Sequence, residues 1–161
     1  MTTYNNDVYT YNMELRTYST NLPELPCACA ALRRASRAVT QAYGRVMRES
    51  GMEVTQFTLL QVLRQAGPMT QGRLGEFLAM DSTTLSRSLR PLEASSWIQS
   101  GQGSDRRQRC WKITAAGNKE LKRVEPLWLM AQARMQKSIG EHDWKLLMRS
   151  ADRASEAALS M

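Results

Sequence analysis

Residues 70–117 read TQGRLGEFLAMDSTTLSRSLRPLEASSWIQSGQGSDRRQRCWKITAAG, and the fold is decided inside this stretch. Thr70 is placed to cap a helix from Gln71 to Ala79 in which Leu74, Phe77 and Leu78 turn inward. About one turn later, Asp81 offers the carboxylate of a strong N-cap and opens a second helix, Ser82 to Ser95. There Leu85, Leu89 and Leu92 recur at i, i+4 and i+7 and mark the buried side. The opposite side carries Thr83, Thr84, Ser86, Arg87 and Arg90, with Ser82 at its start. Two short helices with a tight connection, the second showing small hydroxyls and arginines, suit the major groove of double-stranded DNA. Short polar side chains let the backbone approach base edges, and arginine offers a fork to guanine or a contact to phosphate. Pro91 costs about 3 kcal/mol in a helix interior, which predicts a kink or an early end near Arg90.

Downstream, Trp97–Ser100 and Cys110–Ile113 are short segments of strand-forming residues. They flank Gly101-Gln102-Gly103-Ser104-Asp105-Arg106-Arg107, a turn-rich, basic connector, and together read as a β-hairpin with a long tip. A hairpin directly after such a helix is a wing. Arginine at its tip, Arg106 or Arg107, can enter the minor groove, where negative potential is concentrated. Asp105 repels phosphate, so its expected task is to pair with an arginine and hold the tip in shape.

Outward from this core, Leu32, Ser36, Val39, Tyr43 and Val46 recur at helical spacing from Cys27 to about Glu49, with Gly51 as a C-cap. Thr55 is expected to cap a short helix sharing Phe57, Leu60 and Leu63 on one face and ending at Gly67-Pro68. Thr114 starts a helix through Leu121, Val124, Leu127, Trp128 and Met135, which Pro126 should bend. Ser138 to Glu141 fits a capping box for a last amphipathic helix bearing Trp144, Leu147, Met148, Ala151 and Ala158. The first helix and the last two display more apolar surface than a core of this size can cover, which predicts burial against a second copy. The expected class is mainly α with a small β-hairpin wing: a winged helix-turn-helix with N- and C-terminal dimerisation helices. Its divisions are a polar arm at 1–26, a dimerisation helix at 27–54, a DNA-binding core at 55–113 and dimerisation helices at 114–161. Whether the arm is loose or laid against a partner is left open by its Tyr-, Asn- and Thr-rich composition.

Composition agrees. The 161 residues carry a formal charge of +7, which suits a polyanionic partner but reports on non-specific binding and not on fold. Hydrophobic residues make up 42 %, enough for a core, and no run approaches the roughly 20 apolar residues of a membrane span. The polar first residues do not read as a secretory signal, and three cysteines without one argue for a reducing cytoplasm. Catalysis has little to work with. The one histidine, His142, lies between Glu141 and Asp143 with no cysteine near it, and the glycines form no phosphate loop. The expectation is no enzyme, no metal and no cofactor. Cys27-Ala28-Cys29 at a helix start is the exception: thiolates there have depressed pKa values, which favours oxidation or soft-metal capture. The two point about 200° apart on a helix, so a disulfide between them needs the helix start to unwind. Structural packing is the alternative, and Cys110 beside the wing reads as structural.

The combination resembles the MarR family of winged-helix regulators. Asp105-Arg106-Arg107 followed by Ile113-Thr114-Ala115-Ala116-Gly117 looks like the family's wing signature and strand-to-helix junction. Thr55-Gln56-Phe57-Thr58-Leu59-Leu60 resembles the start of its second helix. Leu74-Gly75-Glu76-Phe77-Leu78 with Ser82-Thr83-Thr84-Leu85-Ser86-Arg87 resembles its helix-turn-helix core. The similarity spans roughly Ala30 to Leu159, with Pro91 and the polar arm as departures. It implies a homodimer with interlocked first and last helices, and autoregulation or repression of a neighbouring operon from a palindromic operator. It also implies release by a small phenolic or aromatic acid, held between the dimerisation helices and the DNA-reading core. On that layout Arg33, Arg34 and Arg37 supply cations, Ser36 and Thr40 hydroxyls, and Phe57 an aromatic wall. The alternative trigger is thiol oxidation or a soft metal at Cys27 and Cys29.

Overall fold

A computed structural model describes residues 27–102 and 108–161. The chain divides into two units, Met1–Ala35 and Ser36–Met161. In the first, the described residues open helix α1, which runs Ala28–Met47 and passes into a 3-10 turn at Arg48–Ser50. Gly51 ends it in the left-handed region at φ 72°, as its C-cap reading expects.

Helix α2, Val54–Ala66, is capped by Glu53 and not by Thr55. The Glu53 side chain accepts from the Gln56 backbone, and Glu53 N–H donates to Gln56 Oε1 at 3.0 Å. This reciprocal pair satisfies two free amides at once and moves the helix start ahead of Thr55. Thr70 accepts from Arg73 N–H and starts α3, Gln71–Leu78; Asp81 starts α4, Ser82–Ala94; Thr114 accepts from Gly117 N–H and starts α5, Ala115–Ile139. Leu74 is buried on α3, but Phe77 is 68 % exposed, contrary to the expectation that it turns inward.

Both prolines are tolerated within their helices. Helix α4 passes Pro91 and reaches Ala94, correcting the early end expected near Arg90. Pro91 removes one backbone donor near the end, while Leu92 just beyond it is fully buried. The exit is a Schellman turn: Trp97 N–H donates to Leu92 C=O at 2.9 Å, Ser96 N–H to Glu93 C=O at 2.9 Å, and Ser96 takes φ 58°. Helix α5 likewise runs through Pro126 without interruption. Ser138 forms no capping box for the last helix, α6 (Glu141–Leu159). Its hydroxyl bonds back to the Arg134 carbonyl, and Gly140 precedes α6 without a side-chain cap.

Strands β2 (Ile98–Gln102) and β3 (Arg109–Ile113) pair antiparallel from Ile98↔Ile113 to Gln102↔Arg109. A two-residue strand, β1 (Met69–Thr70), joins the far side of β3 to give the order β1-β3-β2. The core gathers Phe57, Leu60 and Leu63 of α2, Leu74 of α3, Leu85, Leu89 and Leu92 of α4, Ile98 and Trp111 of the sheet, and Leu121 and Val124 of α5. The fold is mainly helical with a small antiparallel sheet, a winged helix. Among the described residues, no helix is long and apolar enough to cross a membrane.

Candidate nucleic-acid interface

The outer face of α4 is built from its cap. Asp81 Oδ1 accepts from Thr84 N–H at 2.9 Å and Oδ2 from the Thr84 hydroxyl at 2.6 Å. These bonds, the hydroxyl first, hold the Asp81 carboxyl below its ordinary range, so it stays ionised and committed to its own helix. Thr84 therefore spends its hydroxyl hydrogen internally, and Ser88 spends its own on the Thr84 carbonyl at 3.0 Å. Ser82, Thr83, Thr84, Ser86, Arg87 and Arg90 are all exposed. Neither arginine enters an ion pair among the described residues. The face thus offers short hydroxyls and two uncommitted guanidinium groups, what a base edge or a phosphate requires.

Four residues with no functional signal in the sequence, Gln71, Glu93, Arg109 and Trp111, support this face. Gln71, first in α3, donates through Nε2 to Ser86 Oγ at 2.9 Å and accepts through Oε1 from Trp111 Nε1 at 3.2 Å. Arg109 lies over the Trp111 ring, 5.1 Å from its centroid, with Glu93 at 3.8 Å. Strand, α3 and α4 are therefore joined by one polar chain. Its members stand 15 and 40 residues apart, so no local spacing announces it.

Close packing positions the sheet against α5. A Cβ added to Gly117 would lie 2.0 Å from the Trp97 carbonyl oxygen. Thr114 donates its hydroxyl to the Ser96 carbonyl at 2.7 Å and its N–H to Trp97 C=O at 3.0 Å. The Thr-x-x-Gly pattern is thus the junction at which α5 is pressed onto the start of β2. Asp105, Arg106 and Arg107 lie outside the described residues.

The residues expected to meet an effector lie on α1 and α2. Phe57 is fully buried and stacks on Trp128, with ring centroids 5.4 Å apart, so it is a core residue with no face turned to a ligand. Thr40 lines a cleft of about 370 Å³ with Gly44, Arg48, Gly51, Met52 and Glu53. Ser36 and Arg37 are exposed on α1, and Arg33 and Arg34 are exposed on its earlier part. Cys27 and Cys29 are free and exposed; Cys110 is free and half-buried. His142 is exposed, and no cluster of three His, Cys, Asp or Glu that could hold a metal occurs among the described residues.

The model of the MarR family matches residues 52–108. The chain is 34 % identical to the M. tuberculosis transcriptional regulator MosR, solved in complex with DNA, at a TM-score of 0.74 over 83 % of this chain and 97 % of that one. It is 26 % identical over 93 residues to YwoH of Bacillus subtilis, an uncharacterised HTH-type transcriptional regulator, covering 58 % of this chain and 68 % of that one. The apo form of E. coli MarR, 17 % identical, shares the fold at a TM-score of 0.63 over 82 % of this chain and 98 % of that one. With its exposed α4 and its Thr-x-x-Gly wing junction, the chain belongs to the MarR family of transcriptional regulators.

Proposed function

We propose that the chain is a transcriptional repressor that binds a palindromic operator in double-stranded DNA as a homodimer and is released by a small effector. The observation that carries this reading is the outer face of α4, where Ser82, Thr83, Ser86, Arg87 and Arg90 stand exposed on a capped helix. In this reading residues 55–113 form the DNA-binding core, residues 27–54 and 114–161 dimerise, and residues 1–26 form an arm. Arg106 and Arg107 reach the minor groove, with Asp105 holding the wing tip. Leu129 and Met130 on α5 and Leu146, Leu147 and Met148 on α6 are large apolar side chains exposed in the single chain, and they support the dimer.

The test is affinity for the duplex that the chain selects from a random-sequence library, measured across salt concentrations. Arg87→Ala should weaken binding about tenfold or more and relax the preference at one position. Arg106→Ala should weaken all sequences evenly and reduce the salt slope by about one. Wild-type behaviour in both variants would remove α4 and the wing from the interface.

For the effector, the reading is a small aromatic acid or phenol held by Arg33, Arg34 or Arg37 with Ser36 and Thr40 as hydroxyls; the cleft that Thr40 lines with Arg48 supports it, whereas Phe57 is packed in the core. Such a ligand induces only through tighter binding to the DNA-incompetent form; tenfold release needs about 1.4 kcal/mol of coupling. A second reading is favoured by the exposure of both Cys27 and Cys29, which leaves their thiols open to oxidants or a soft metal. DNA release by benzoate- or phenylacetate-like acids in excess reductant, retained in Cys27→Ser/Cys29→Ser, supports the cleft. Release by peroxide alone, abolished in that double variant, supports the thiols.

A further inference from the structure

Trp111 is 2 % exposed, and its indole N–H is a donor that cannot accept. The group facing it on Gln71 is therefore the amide oxygen, at 3.2 Å. That contact settles the orientation of the whole amide. The Gln71 NH2 group faces the other way, toward Ser86 Oγ at 2.9 Å, and an amide NH2 can only donate. Ser86 oxygen accepts that hydrogen bond on one of its two lone pairs, which leaves its own hydroxyl hydrogen for a third partner. The neighbouring hydroxyls differ: Thr84 has given its hydrogen to Asp81 and Ser88 to a backbone carbonyl. Ser86 stands exposed on the same side as Arg87 and Arg90.

We infer that Gln71 is a positioning residue that fills one of the two acceptor lone pairs of Ser86 and biases its hydroxyl to donate toward DNA. An unconstrained serine hydroxyl rotates and can either donate or accept, so it discriminates poorly between base edges. Held by the Trp111–Gln71 pair, with one lone pair occupied, Ser86 favours an acceptor. This is a purine N7, guanine O6, thymine O4 or a phosphate oxygen, and the exocyclic amino groups of adenine and cytosine are disfavoured. The inference rests on α4 being the DNA-binding face, and it makes the buried strand residue Trp111 a remote determinant of what α4 reads.

The experiment uses the full chain and its selected duplex. Affinities are compared for wild type, Ser86→Ala, Gln71→Met and the double variant. The duplexes lack one acceptor at a time: 7-deazapurines for N7, 2-aminopurine for O6, 5-methyl-2-pyrimidinone for O4 and methylphosphonates for phosphate oxygens. Ser86→Ala should lose about five- to tenfold, and Gln71→Met a similar or smaller factor, with little further loss in the double variant. One acceptor deletion should cost wild type that same factor and cost Ser86→Ala nothing; a base analogue or a methylphosphonate at that place tells base from backbone. Trp111→Phe keeps an aromatic ring in the core and removes the N–H, so it should free the amide to turn and relax discrimination against amino groups at that position. Additive losses of Gln71→Met and Ser86→Ala, or unchanged discrimination in Trp111→Phe, overturn the inference while leaving α4 as the DNA face. Wild-type binding by both Ser86→Ala and Arg87→Ala instead overturns the reading beneath it.

Discussion

A methyl group on Gly117 would meet the carbonyl of Trp97, a backbone atom that cannot swing aside. Gly117→Ala should therefore cost about 3 kcal/mol, the upper end of overpacking, read as a lower urea midpoint; an unchanged midpoint would show that α5 can move away from β2. Two other residues hold left-handed conformations without being glycine. Ala79 has φ 50° and Ser96 has φ 58°, each at the exit turn of its helix. Ala79→Gly and Ser96→Gly should each raise stability by about 0.5–1 kcal/mol, and by roughly the sum together, since the backbone already adopts what glycine prefers. Thermal denaturation of the three variants checks this. The importance of Gly117 was legible in its motif, but Ala79 and Ser96 gave no sign, because such residues in exit turns have no signature of their own. Phe77 misled for a geometric reason. Leu74, Gly75 and Leu78 define the packed side of α3, and Phe77 lies about 100° from its centre on the helical wheel.

Helices α2 and α5 are tied by Arg64 and Glu125, whose closest approach is 2.7 Å, while Arg123 of α5 donates to the Ser50 carbonyl at 2.6 Å and pairs with Glu120. The Arg64 bond holds the Glu125 carboxyl below its ordinary value of 4.5, and the Arg123 bond does the same for Glu120. A depressed carboxyl contributes stability that is fully present above its unfolded value and lost as pH falls through the folded one. The melting temperature should thus fall from pH 6 to pH 3, and Glu125→Gln should remove part of that decline; an identical decline would deny the tie any role. Elements with a local signal were legible: Thr70, Asp81 and Thr114 cap as their chemistry predicts, and the leucines of α4 are buried as their spacing requires. Strand β1 was not, because two residues carry no alternation. The cap of α2 was not legible, because a glutamate side chain is longer than the Ser, Thr, Asp or Asn that ordinarily meets the first free amides, and Thr55 stands two residues on.

At the scale of the molecule, α6 has no fully buried residue in the single chain. Leu146, Leu147 and Met148 are uncovered on this amphipathic helix in the single chain, and in the proposed homodimer a second copy covers them. Sedimentation should show a dimer at micromolar concentration, converted to monomer by Leu147→Asp with Met148→Asp; a stable wild-type monomer would contradict it. This apolar excess was legible from the sequence, whereas the polar chain from Trp111 to Ser86 was not, since only folding brings its members together. A two-fold dimer presents its two copies of α4 about one DNA turn apart. Hydroxyl-radical footprinting on the selected duplex measures that arrangement directly. Two protected half-sites about 10 base pairs apart, both lost in Arg87→Ala, are the expected result. A single protected half-site, or protection that survives Arg87→Ala, would contradict a dimer reading DNA through α4.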